Sequence, residues 1–185
     1  MATPDASKVM VLEGKVTGSI FVAPTTVALP TDATTALAQD FKSLGFTSDE
    51  GITISEDGSN TPLRVWEGLA EVRNIRTEFT EQIAFTPVEC NEEVAKLMWG
   101  DDAVDVAQTT GNLTIRHHGR SMKPVHVVVE CVPFVGAVAR YCAKVQLTER
   151  GEQSGNGQDF AGRELTFNCL AVDGTTMVEH VAFTA

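Results

Sequence analysis

The chain has 185 residues, 43% of them hydrophobic and 21% charged, with a formal net charge of −11. That length holds one domain with a real core, burying roughly 70% of the unfolded surface, and leaves two domains cramped. The acidity disfavours a protein that grips nucleic acid, whose phosphates it repels, but allows a surface past which DNA slides without sticking. No stretch approaches the ~18 consecutive apolar residues of a membrane span. Met1 to Lys8 lacks the basic patch and apolar run of a signal peptide. The expectation is a protein that is soluble and cytoplasmic when made.

The first dozen residues and Val22 to Pro30 read as extended arms, with 1–15 taken as an N-terminal arm. Val16 to Val22 is a first strand, with Val16, Ile20 and Val22 on one face. A helical turn is expected near Thr34 to Leu44, ending at Gly45. Leu44 to Trp66 is rich in Gly, Ser, Asp and Asn and only weakly periodic, and is read as a long loop of the kind that carries function or is disordered. Arg76 to Thr86 is a strand with Phe79, Ile83 and Phe85 on one face and Glu78, Thr80, Gln82 and Thr86 on the other. Asn91 to Trp99 is a short helix: Asn91 caps it, Glu92 and Glu93 occupy the first turn, Gly100 stops it, and Val94, Leu97 and Met98 form its apolar stripe.

Strands follow to the C-terminus. Leu113 and Ile115 alternate with Thr114 and Arg116. Val125, Val127, Val129 and Cys131 share a face, as do Ala139, Tyr141, Ala143, Val145 and Leu147. Leu165, Phe167, Cys169 and Ala171 repeat the pattern, and a last strand covers Thr175 to Phe183. A period of two marks half-buried strands. Turn formers separate them at Asp57-Gly58, His118-Gly119, Gly151 to Gly157 and Asp173-Gly174. With neither an internal repeat nor a boundary, residues 1–185 read as a single domain. It is mainly β: an antiparallel β-sandwich or barrel with one flanking short α-helix and long loop and arm excursions.

The chemistry-bearing residues do not assemble into a site. His117 and His118 are adjacent and point to opposite faces of a strand. His118 could meet His126 across a hairpin, but no third ligand is evident for a metal. Gly151 to Gly155, around Ser154, has the wrong spacing and context for a nucleophile elbow. Gly155-Asn156-Gly157 lacks the third glycine and helix of a dinucleotide site. Glu56-Asp57-Gly58 and Gly100-Asp101-Asp102 lack the spacing of a calcium loop. Asn112-Leu113-Thr114 is a formal glycosylation sequon, irrelevant without secretion. The four cysteines form no CxxC pair. Cys90 precedes the helix, Cys131, Cys142 and Cys169 lie in strands, and all four are read as small buried hydrophobes rather than disulfides. No catalytic residue, metal or cofactor is expected.

With catalysis unsupported, other segments become informative. Ala28 to Thr34 with Leu37, Phe41 to Phe46, and Ser48 to Asp57 (Gly-Ile-Thr-Ile-Ser-Glu-Asp at its end) resemble the major tail tube proteins of long-tailed phages, or siphophages, especially those of actinobacteria. The likeness continues through Val65-Trp66, Arg76 to Glu81 (with Thr-Glu-Phe-Thr-Glu) and Asn91 to Gly100, covering about residues 16 to 105. The resemblance implies a virion structural protein, a β-sandwich subunit forming hexameric rings. The rings would stack into a hollow tail tube that surrounds a tape-measure protein, meets tail-end proteins and conducts DNA during ejection. Under that reading Glu78, Thr80, Gln82 and Thr86 are expected to face the lumen. Ser48, Asp49, Glu50, Glu56, Asp57, Ser59 and Asn60 are expected in a loop between rings. The alternatives are the inner tube protein of a contractile injection or secretion system, and a β-sandwich ligand-binding module such as a carbohydrate binder. The last should display aromatics, whereas the chain has two Trp and one Tyr.

Overall fold

The computed structural model describes residues 9, 11–15, 18–107, 109–132, 137–153, 157 and 160–183. In chain order its strands are β1 (Glu13–Gly14), β2 (Ile20–Pro24), β3 (Lys42–Ser43), β4 (Thr47–Asp57), β5 (Asn60–Arg64), β6 (Glu71–Arg76) and β7 (Thr80–Pro87). The helix α1 (Glu92–Trp99) follows, then β8 (Val104–Val106), β9 (Leu113–Ile115), β10 (Val125–Val132), β11 (Ala137–Arg150), β12 (Leu165–Cys169) and β13 (Met177–Phe183). Nine strands form one antiparallel sheet in the order β3-β2-β10-β11-β12-β7-β4, with β1 beside β10 and β13 beside β11; β5–β6 and β8–β9 are separate pairs. The mainly β, antiparallel architecture with one short helix is the one its alternating sequence demands.

The alternation has a direct structural cause. Val127 and Val129 of β10, Ala139 to Leu147 at every second position of β11, Leu165 and Phe167 of β12, and Ile83 and Phe85 of β7 all point into one core. Phe85 and Phe167 stack there with ring centroids 5.3 Å apart. Ile20 and Val22 of β2 join the same cluster although three strands separate β2 from β7 in the sheet order. The sheet must therefore curl, bringing distant strands round one apolar interior. Helix α1 packs Val94 and Leu97 against that interior, with Met98 partly buried beside them. Its ends are capped by the expected chemistry. Asn91 Oδ1 accepts from the Val94 N–H at 2.9 Å, and Gly100, at φ 88°, donates its N–H to Lys96 O at 2.7 Å.

The opposite face of β2, β10 and β11 carries a smaller core. Ala23, Phe41, Val128 and Cys142 are buried there, with Val27, Leu29 and Leu37 packed on them. The segment 25–41 lies over this face and is tied to it by three side chains from three strands. His126 Nδ1 donates to Val27 O (2.8 Å), His180 Nε2 to Pro30 O (3.2 Å) and Arg140 Nη1 to Asp32 O (2.7 Å).

Several expectations need correction. Val22 to Pro30 is not an arm: β2 runs to Pro24, and the chain beyond it packs on the sheet. Val16 lies outside the described residues, as do most of the N-terminal arm and Ser154 to Asn156. No helix forms over 34–44. Leu37 and Phe41 belong to the smaller core and Leu44 to the main one, so a single helical stripe cannot serve all three. Asp32 instead accepts hydrogen bonds from the backbone and hydroxyls of Thr34 and Thr35, which fixes a local turn. The largest correction is the long loop over 44–66, which holds two strands, β4 and β5. The expected strand over 76–86 is in turn broken at 77–79 into β6 and β7, and Phe79 is exposed rather than packed.

Candidate functional site

Strands β4 to β7 form one long bent hairpin. In its lower half β4 pairs with β7 from Ile52↔Phe85 to Asp57↔Thr80. The ladder then breaks, with two residues on one strand facing three on the other. Ser59 O accepts from Thr77 N at 2.8 Å, Ser59 N donates to Glu78 O at 3.3 Å, and Ser59 Oγ donates to Glu78 Oε2 at 2.9 Å. Gly58 is required at this break, because a Cβ there would lie 2.7 Å from Glu78 O. In its upper half β5 pairs with β6, and Val65 N closes the tip on Ala70 O. Every residue of β5 and β6 is exposed. The tip extends roughly 25 Å beyond the body at the ordinary rise per strand residue.

The upper hairpin carries exposed apolar side chains among its charged ones. Trp66 is 93% exposed, Leu69 69% and Val72 63%, with Leu63, Ile75 and Phe79 also exposed. Leu69 adopts φ 55°, the left-handed region that a bulky side chain rarely occupies. Several large apolar groups exposed on one projecting hairpin point to an interaction surface. Leu63 and Trp66 fall in the stretch expected to be a loop, and Phe79 on the strand face expected to pack on the core.

The lower half presents a different surface. On the face of β7 opposite Ile83 and Phe85 lie Thr80, Gln82, Ala84 and Thr86. Ser55 of β4, Gln82 of β7 and Asn168 of β12 form a row across three strands, and Gln82 Nε2 donates to Asn168 Oδ1 at 2.7 Å. The neighbouring row is Thr53, Ala84 and Thr166. Both rows are uncharged, hydrogen-bonding and free of large apolar groups. Of the four residues expected on one face, the structure brings together Thr80, Gln82 and Thr86; Glu78 lies beyond the end of β7, held by Ser59. The seven expected loop residues also divide. Ser48, Asp49 and Glu50 are at the start of β4, whereas Glu56 and Asp57 end it and Ser59 and Asn60 lie just beyond. The two groups are separated by roughly 20 Å of strand.

The residues tested for chemistry are engaged elsewhere. His117 stacks on Trp99 with centroids 4.0 Å apart, and His118 Nε2 donates to Trp99 O while its Nδ1 accepts from Arg120 N. His118 and His126 hydrogen-bond to different carbonyls, Trp99 O and Val27 O. Arg150 lies over the Trp99 ring at 4.4 Å and donates through Nε to Met98 O, completing the helix terminus. Among the described residues no three of His, Cys, Asp and Glu gather in a metal-binding group. Burial pushes the Cys131 and Cys142 thiols up to about 11 and that of Cys169 to about 12, which keeps them protonated; Cys90 is exposed.

Comparison with known proteins accounts for a chain rich in surfaces and poor in reactive groups. The phage tail tube protein family matches residues 4–184. The chain belongs to that family. It is a structural component of the phage tail, in a family of tube-forming proteins and not of enzymes. No curated protein matches it. In a tail tube protein, exposed surfaces and a rigid body to carry them are the functional equipment.

A buried ionic staple ties the body together. Arg140, 3% exposed at its side chain, donates through Nε to Glu130 Oε1 at 2.9 Å and again through Nη2; Lys15 Nζ holds Glu130 Oε2. Burial alone would raise the Glu130 carboxyl. The hydrogen bonds and charges of Lys15 and Arg140 outweigh it and hold the group below the usual carboxylate range. A depressed carboxylate contributes stability at neutral pH that is lost as pH falls through its folded value. Arg140→Met leaves the buried carboxylate with Lys15 as its remaining charged partner and is expected to cost about 2–3 kcal/mol at neutral pH, below the full penalty of an unpaired buried charge. In urea unfolding that cost should shrink on acidification, as Glu130 takes up a proton. A cost independent of pH would show that packing, not charge pairing, is what Arg140 supplies.

Proposed function

We propose that this tail tube protein polymerises as stacked hexameric rings into the hollow tail of a long-tailed phage. The tape-measure protein occupies the lumen during assembly, tail-end proteins close the tube, and DNA leaves through it. The subunit waits in the host cytoplasm until it is incorporated. The observation that carries this reading is the family match over 4–184 joined to a hairpin that buries almost nothing within its own chain. The six-fold symmetry rests on the resemblance to siphophage tube proteins.

The polar face of β4, β7 and β12, with the Asp57 carboxylate opposite Thr80 and no cation in its rows, is the lumen wall in this reading. DNA slides where no cation pairs with phosphate and no apolar patch strips water from it, and Ser55, Thr80, Gln82, Thr86 and Asn168 meet both conditions. Glu78 stands at the rim of that wall. Ser48, Asp49 and Glu50 face one neighbouring ring; Glu56, Asp57, Ser59 and Asn60, with the hairpin above them, face the other.

Negative-stain microscopy of the concentrated pure chain should show hollow tubes, with six-fold symmetry in end-on averages. Solid fibrils or dispersed monomers would contradict the reading. The lumen assignment has its own test. Thr53→Lys with Thr80→Lys places cations on two exposed positions without touching the core. Phage carrying the pair should assemble tails but eject DNA more slowly, most at low salt where screening is weakest. Ejection at the normal rate in low salt would remove this face from the lumen.

A further inference from the structure

The hairpin tip and a cleft in the body lie at opposite ends of the same strand. The hairpin leaves the body at Thr80, the first residue of β7. The cleft begins at Pro87, the last, and its walls include Val88, Val94, Met98, Ile115 and Gly162. Its volume is about 220 Å³. That is below the ~300 Å³ at which small-molecule pockets usually begin, and suits one large side chain better than a ligand. The walls are mainly apolar, with Glu89 and Arg163 also lining it.

The tip offers the complementary object. Trp66 is almost wholly exposed, and Leu69 is held beside it in a left-handed conformation that costs roughly 1 kcal/mol. Strained, exposed apolar residues at a turn are retained where a surrounding contact determines them, and among the described residues none covers Trp66, which is 93% exposed. The length of β7, roughly 23 Å, and the projecting hairpin separate the tip from the cleft, so the two cannot meet within one chain.

We propose that Trp66 at the hairpin tip seats in the cleft beside α1 of a second copy of this chain. A knob at one end of a strand and a hole at the other make a heterologous contact, which repeats instead of closing on itself and so propagates a column of subunits. This rests on the tube reading and deepens it by naming the surface that receives the hairpin. Large aromatics in desolvated pockets are the residues that dominate such interfaces.

The native cysteines provide the test. Cys90 lines the cleft and is exposed, while Cys131, Cys142 and Cys169 are buried. Glu67→Cys puts a thiol next to Trp66 without removing it. Tubes of this variant, oxidised and run on a denaturing gel without reductant, should give a ladder of covalent oligomers that Cys90→Ser abolishes. Separately, Trp66→Ala should raise the critical concentration for polymerisation about thirtyfold or more, the effect of losing an interface anchor, with the urea midpoint unchanged. Oxidised tubes without a ladder, or Trp66→Ala polymerising at the wild-type concentration, would overturn the contact and leave the tube reading standing. A wild-type chain that forms no polymer would remove the tube reading and this contact with it.

Discussion

Strand β11 has neighbours on both edges and cores on both faces, and the rest of the body is built against it. It pairs with β10 along one edge and with β13 and then β12 along the other. One face supplies Ala139 to Leu147 to the main core; the other supplies Cys142 to the smaller core and Arg140 to the buried staple. Small residues at Ala139 and Ala143 let the sheet curl over them, and Tyr141, Val145 and Leu147 fill the space between. Because this strand is buried on both sides, its register is fixed, and with it the positions of β12 and β7. The uncharged face of β7 and the cleft at its end are consequences of where β11 sits.

The same economy explains why the hairpin stands apart. A two-stranded ribbon has no third strand and no covering layer, and in water it is marginal by itself. Here it continues from β4 and β7, which are anchored in the sheet through Ile52, Ile54, Ile83 and Phe85. The body thus lends rigidity to a projection that contributes little to the body's own stability. Exposed Trp66 and Leu69 would be a liability in a protein meant to remain alone, and are an asset in one meant to meet copies of itself.

How much of this was legible in the sequence follows from which faces are buried. Over Val125 to Val132, Ala137 to Arg150 and Leu165 to Cys169 every second side chain enters the main core, so the period of two is written in the residues themselves, even where Val128 and Cys142 enter the smaller core from the other face. Helix α1 was equally plain because Asn91 and Gly100 satisfy its end groups. The hairpin was not. Its strands face solvent on both sides, so no alternation is enforced, and its punctuating residues mislead. Gly51, at φ 73°, sits where the β4–β7 register shifts, Gly58 sits at the break in the ladder, and Pro62 lies in a ribbon with a free edge. Gly51 and Pro62 lie within strands, and only Gly58 marks the end of one, where β4 gives way to β5. Thr34 to Leu44 misled in the opposite way, because helical spacing of Leu37, Phe41 and Leu44 arose from two cores served by an irregular chain. The polar residues of β7 were visible as a face, but their rows with Ser55 and Asn168 join segments distant in sequence and needed the fold.

The central claim is that one chain folds as a complete body carrying a hairpin whose partner is another copy. Amide hydrogen exchange, compared between free subunit and assembled tube, addresses it most directly. Exchange in β10, β11 and β12 should be slow in both states, and exchange over residues 60–76 fast in the free subunit and strongly slowed in the tube. A hairpin that exchanges equally fast in the tube, or that is already protected in the free subunit, would contradict it.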